Sequence, residues 1–118
     1  MVQHYRELIA WQRALDLVIH IYETTKTFPG DERYGLVSQM RRCAVSIPSN
    51  IAEGQARNSK GDFLQFLGIA RGSIAELTTQ ILISERLGYL SEPTTTIDKA
   101  EEVGRILSGL ANSLRTNN

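Results

Sequence analysis

Apolar residues recur at intervals of three and four through most of the chain, and three polar turns interrupt them. The first run is Leu8, Trp11, Leu15, Val18 and Tyr22, closing at Thr25, with Ala14, Leu17, Ile21 and Phe28 widening the stripe on its neighbouring side. A helix turns once in 3.6 residues, so this spacing predicts a helix over about 7–28 with one face against a core. Phe28-Pro29-Gly30-Asp31 then breaks the pattern. Proline lacks a backbone donor, glycine frees the backbone, and Asp31 is placed to cap the next helix.

The second run, Leu36, Met40, Cys43, Ile47 and Ile51 with Val37 and Ala44 beside it, predicts a helix over about 32–57. Pro48 falls inside it, and because the period resumes on both sides the reading is one bent helix. Asn58-Ser59-Lys60-Gly61 is a polar turn in which Ser59 precedes Asp62 by three, the spacing of a capping box. Phe63, Phe66, Ala70, Ile74, Leu77, Ile81 and Leu82 carry a third helix over about 60–87, with Gly88 suited to its C-terminal cap. Ser91 reads as the N-cap of a fourth helix over about 92–115, with Pro93 in its first turn and a seam of Ala100, Val103, Leu107, Leu110 and Leu114. Short turns between long amphipathic helices favour antiparallel neighbours. The fold class expected is all-α, an antiparallel up-down-up-down four-helix bundle forming a single domain over 1–118.

Composition narrows the function classes. Lys+Arg and Asp+Glu both total 13, so the formal net charge is zero. A dedicated nucleic-acid binder draws most of its affinity from excess basic charge, and this balance argues against one. A single cysteine, Cys43, excludes an intramolecular disulfide and any multi-cysteine metal site. No apolar run approaches the roughly 20 residues that cross a bilayer, and the N-terminus lacks a signal-peptide core, so no membrane role and a cytoplasmic location are expected.

No catalytic or metal constellation emerges, and no cofactor is expected. His4 and His20 are far apart, and His20, four residues after Asp16, reads as a surface hydrogen-bonding residue. Cys43 lies in an apolar seam without a basic partner, the setting of a core thiol. Gly61, Gly68 and Gly72 come after no strand and read as close-packing or turn positions rather than a phosphate cradle.

One row of residues departs from an ordinary solvent face. Gln39, Ser46, Asn50 and Glu53, with Arg57 a turn on, flank the apolar seam of the second helix, and Ser73, Glu76 and Gln80 offer a matching set on the third. Three readings compete: side chains relieving the backbone around Pro48, a subunit interface, or a ligand site along Asn50, Glu53, Arg71 and Glu76. Arg41, Arg42, Arg57, Lys60 and Arg71 also outnumber Glu53 and Asp62 by three, a small surplus for an anionic partner. No exposed aromatic platform for stacking bases is evident.

The wording of the chain resembles a known bacterial family. Phe28-Pro29-x-x-Glu32-x-x-Gly35-Leu36, Gln39-x-x-Arg42, Ser46-Ile47-Pro48-Ser49-Asn50-Ile51-Ala52-Glu53-Gly54 and Phe66-Leu67-x-Ile69-Ala70-Arg71-Gly72-Ser73-x-x-Glu76 match the four-helix-bundle proteins encoded within intervening sequences of large-subunit ribosomal RNA genes. Leu8-x-x-Trp11-Gln12-x-Ala14 and Leu87-Gly88-Tyr89-Leu90 fit as well. The resemblance implies an antiparallel bundle, a barrel-shaped homopentamer and no assigned enzymatic activity. A related branch, the accessory variability determinants of diversity-generating retroelements, binds nucleic acid and a reverse transcriptase through a strongly basic surface, which this neutral chain lacks. The expected function is a non-enzymatic, self-assembling scaffold or adaptor with an unknown protein partner. Alternatives are an RNA- or DNA-binding accessory protein pooling basic patches across subunits, and a small-molecule pocket on helices two and three.

Overall fold

The computed structural model describes residues 4–117, and among them the chain forms four α-helices with no strand. They are α1 (Ile9–Thr25), α2 (Leu36–Ala56), α3 (Lys60–Arg86) and α4 (Pro93–Thr116). Single 3-10 turns at Tyr5–Glu7 and Gly30–Glu32 precede α1 and α2. The helices run antiparallel, and each packs on its two neighbours in the cycle α1-α2-α3-α4, so that α2 and α4 occupy opposite corners of a rod measuring 48 × 22 × 19 Å.

The core is built from Leu17, Ile21, Met40, Ile47, Ile51, Leu67, Leu77, Ile81, Val103 and Leu107, all essentially inaccessible to water. Burying each such side chain contributes about 1.5–3 kcal/mol before entropy is counted. On α1 the buried stripe is Ala10, Ala14, Leu17, Ile21 and Thr25. This corrects the stripe expected through Trp11, Leu15, Val18 and Tyr22, which lies one position round the helix. Leu15 and Tyr22 are each 38% exposed, and Trp11 and Val18 half-buried. Two apolar stripes run side by side on α1, and the one that contains Ala10 and Ala14 faces the bundle.

α2 runs through Pro48 without interruption. Two side chains just after the proline bond back to carbonyls of the preceding turn. Ser49 Oγ donates to the Val45 carbonyl at 2.8 Å, and Asn50 Nδ2 donates to the Ser46 carbonyl at 2.7 Å. Both carbonyls lie beyond that of Ala44, the acceptor that Pro48 leaves free, so neither bond replaces the one the proline removes.

The helix ends differ from the sequence reading at two places. Asp31 does not cap α2; the chain makes a 3-10 turn there, and Glu32 does the capping, its Oε1 accepting from the Leu36 N–H at 3.2 Å. Glu32 Oε2 also accepts from the Tyr89 hydroxyl at 3.0 Å, while the Tyr89 ring packs on Phe28 with centroids 5.4 Å apart. One carboxylate thus ties the α1–α2 loop to the α3–α4 loop, and the hydrogen bond to it raises the Tyr89 phenol above its ordinary pKa. Ser91 does not cap α4, whose first turn opens on Pro93 after Glu92 with no side-chain cap. Ser59 does cap α3, accepting from the Asp62 N–H at 3.1 Å. Gly88 closes α3 at φ +79°, with Gly88 N–H to the Glu85 carbonyl and Tyr89 N–H to the Ser84 carbonyl, the paired bonds of a Schellman motif.

His20 also departs from expectation. It is half-buried in the α1–α4 seam, where its Nε2 lies 2.9 Å from Thr96 Oγ1, rather than bonding Asp16. Burial, reinforced by Lys99 and opposed by Glu92, lowers its pKa below 6.5. The unfolded chain therefore binds the proton more readily, so the stabilisation from neutral His20 is present above pH 6.5 and is lost as pH falls through the folded value. Urea denaturation from about pH 8 to about pH 5 should show the wild type losing more stability at the acid end than His20→Gln; parallel profiles would remove His20 from the acid response.

Candidate functional site

The helix pair α2–α3 opens on its outer side into a groove of about 530 Å³. Five of the six residues of the expected polar network line it: Gln39, Ser46 and Asn50 from α2, and Ser73 and Glu76 from α3. Antiparallel packing sets Ser46 opposite Ser73, and Ser46 Oγ donates to Ser73 Oγ at 2.8 Å. At the floor, Cys43 Sγ–H donates to the Ser73 carbonyl at 3.1 Å. Burial, with the Glu76 charge nearby, pushes the Cys43 thiol up to about 12, so it stays protonated and is a poor nucleophile at neutral pH.

Glu53 falls outside the groove. It pairs with Arg57, Nη2 to Oε2 2.9 Å, in an exposed i,i+4 ion pair. Such a pair contributes roughly 0.3–0.5 kcal/mol. The row that sequence spacing extends to Glu53 ends at Asn50, because beyond it the two helices close up. At Gly54 the Phe66 side chain comes so near that a Cβ added there would stand 2.6 Å from Phe66 Cβ.

Besides Cys43 at the floor and Ile69 on the α3 side, three more groove residues lie outside the expected polar set. Tyr34, 88% exposed, stands at one end, and Ser38 and Arg42 complete the α2 wall. Arg42 is legible in the sequence, since it continues the three-four spacing of Gln39, Ser46 and Asn50, but its charge places it with the basic set. Ser38, Gln39 and Arg42 have no side-chain hydrogen bond or ion pair among the described residues. Beside the groove, Gln80 is 5% exposed; its amide donates to Glu76 at 3.3 Å, while its Oε1 lacks a partner.

The five basic residues do not form one patch. Arg41 turns to the opposite seam, where Nε donates to Thr25 Oγ1 at 2.9 Å, Nη2 donates to the Tyr22 carbonyl at 3.3 Å, and the guanidinium stacks 4.6 Å from the Tyr22 ring centroid. Arg42 is in the groove, and Arg71 is exposed on α3 away from it. Arg57 and Lys60 sit together at the α2–α3 turn, where Lys60 donates to the Asn117 carbonyl and Arg57 lies over the Phe66 ring. Helical spacing cannot show this division, because it depends on which seam each face meets. The ligand set of Asn50, Glu53, Arg71 and Glu76 is divided in the same way: only Asn50 and Glu76 share the groove.

Among the described residues no group of three or more His, Cys, Asp and Glu is placed to hold a metal ion. No helix among them is long and apolar enough to cross a membrane.

No curated protein matches the sequence. Among solved structures the chain is similar to a protein of unknown function from the S23 ribosomal protein family of Bacteroides thetaiotaomicron VPI-5482. The two superpose with a TM-score of 0.81 over 88% of this chain and 96% of that one, at 20% sequence identity, a likeness that establishes the fold. The model of the 23S rRNA-intervening sequence proteins matches residues 6–109, nearly the whole bundle. The chain belongs to the 23S rRNA-intervening sequence protein family.

Proposed function

We propose that this protein is a non-enzymatic scaffold or adaptor that assembles with copies of itself, a pentamer by family analogy, through the outer face of α2 and α3. The observation that carries the reading is the α2–α3 groove, where Ser38, Gln39 and Arg42 leave their hydrogen-bonding capacity unspent beside the half-exposed Asn50 and Ser73. An ordinary solvent face gains nothing from such a row over Lys and Glu, whereas a subunit contact can pair it. The nucleophile-and-base pairing of a covalent catalyst is missing at the groove, where the thiol of Cys43 is held protonated.

Sedimentation equilibrium tests this. The wild type should sediment well above its 13.2 kDa monomer mass at micromolar concentration. Arg42→Glu and Asn50→Leu should shift it toward monomer, since a buried group deprived of its partner costs about 1–3 kcal/mol at each interface. Glu53→Ala, outside the groove, should leave assembly intact. A monomeric wild type defeats the reading.

The nucleic-acid alternative is weakened by the separation of Arg41 from the other cations. Retention on heparin should disappear near physiological ionic strength, as few phosphates would be neutralised. Retention that persists there would promote that alternative.

A further inference from the structure

The hollows on the surface of the bundle differ in the charge around them. The α2–α3 groove sets Arg42 against Glu76, and a smaller hollow between α1 and α4 sets Arg13 and Lys99 against Asp16 and Glu102. A hollow of about 660 Å³ at the α2–α3 turn is different. Arg57 and Lys60 line it, and among the described residues no carboxylate does. Its other side is apolar, made by Leu8, Phe63, Leu110 and Leu114, the last three only half-buried.

A second hollow, of about 330 Å³, adjoins the first, since Leu8 and Leu110 border both. Apolar side chains continue there with Ile106 and with Ile9, which is 59% exposed. Its one acid, Glu7, is engaged in the turn before α1, where Oε1 accepts from the His4 N–H at 3.1 Å. The two hollows make an apolar track that leads into the α1–α4 seam and carries two cations at its other end.

We propose that this track binds a long-chain carboxylate, a fatty-acid-like anion, with its head at Arg57 and Lys60 and its hydrocarbon tail against Leu8, Leu110 and Ile106. Both cations can take a new acceptor. Arg57 holds Glu53 in an exposed contact that contributes little, and a carboxylate head offers the guanidinium the same pair of oxygens. Lys60 has three protons to give, and its bond to the Asn117 carbonyl uses one. The tail withdraws Phe63, Leu110, Leu114 and Ile106 from water, a gain that grows with the area covered. Each hollow has the volume of a small-molecule site, about 300–1,000 Å³. A nucleic acid would match the cations alone, because its affinity comes from its phosphates and the apolar side would go unused. The site lies within one copy and is independent of self-assembly.

Equilibrium dialysis of the full chain against radiolabelled dodecanoate, kept below its micelle concentration, tests the site. One dodecanoate should bind per chain, saturably, and dodecyltrimethylammonium, with the same tail and a cationic head, should bind at least tenfold more weakly. Replacing both Arg57→Gln and Lys60→Gln should weaken dodecanoate binding at least tenfold, and Ile9→Gln at least threefold. Arg71→Gln with Arg105→Gln removes the same charge elsewhere on the surface and should leave binding unchanged. Equal losses in the two double variants would overturn the site in favour of overall charge, and equal binding of the two heads would overturn the role of the cations. Failure of dodecanoate to saturate would overturn the proposal outright. Co-sedimentation with phosphatidylglycerol vesicles in the absence of dodecanoate binding would overturn it in favour of a membrane surface.

Discussion

Leu17→Ala is expected to destabilise the bundle by about 2–5 kcal/mol, the usual cost of emptying a core site that cannot fully collapse. Leu17 is 1% exposed among Ile21, Ala14 and the facing helices. Leu15→Ala, two residues away on the same helix, should change monomer stability by no more than about 0.5 kcal/mol, in the range of surface substitutions. Urea denaturation at low protein concentration separates the two, because dilution removes any contribution from assembly. Equal losses, or a larger one at Leu15, would mean that the core stripe runs where the three-four spacing first places it.

Gly54→Ala should also destabilise, although helix propensity predicts a gain of up to about 1 kcal/mol from the same change. A methyl group at Gly54 would stand 2.6 Å from Phe66 Cβ and 3.2 Å from the Phe63 ring. Those contacts belong to the α2–α3 crossing, and parting the helices to relieve them costs about 1–3 kcal/mol, enough to reverse the sign. Gly68→Ala and Gly72→Ala supply the contrast. Open space surrounds both, so neither is the close-packing position that the sequence suggested, and each should stabilise by roughly 0.5–1 kcal/mol. Thermal melts of the three variants decide the matter; a gain at Gly54 would show that the crossing yields more easily than its geometry implies.

The four-helix architecture was legible because the period of about 3.6 persists through four long runs with turn residues between them. What the period could not decide was the rotation of α1, since two adjacent stripes, one through Leu15 and one through Leu17, satisfy the spacing equally. Packing against the other helices selects the row with Ala10 and Ala14. The groove was legible for the same reason as the helices: Gln39, Ser46 and Asn50 share a face, and antiparallel packing brings Ser73 and Glu76 to them. Arg41 and Arg42 are adjacent in sequence but point into different seams, a distinction that charge counting cannot make.

The shared carboxylate of Glu32 has a consequence for how the bundle opens. It binds both interhelical loops at one end of the rod, where Tyr89 also stacks on Phe28. The other end carries the α2–α3 turn together with residues 4 and 117, and its tie from Lys60 to the Asn117 carbonyl is exposed. Local opening is therefore directional, like a clothes-peg whose hinge is the Glu32 end. Amide protons in the first turn of α1 and the last turn of α4 should exchange with solvent well before those where these helices approach the hinge.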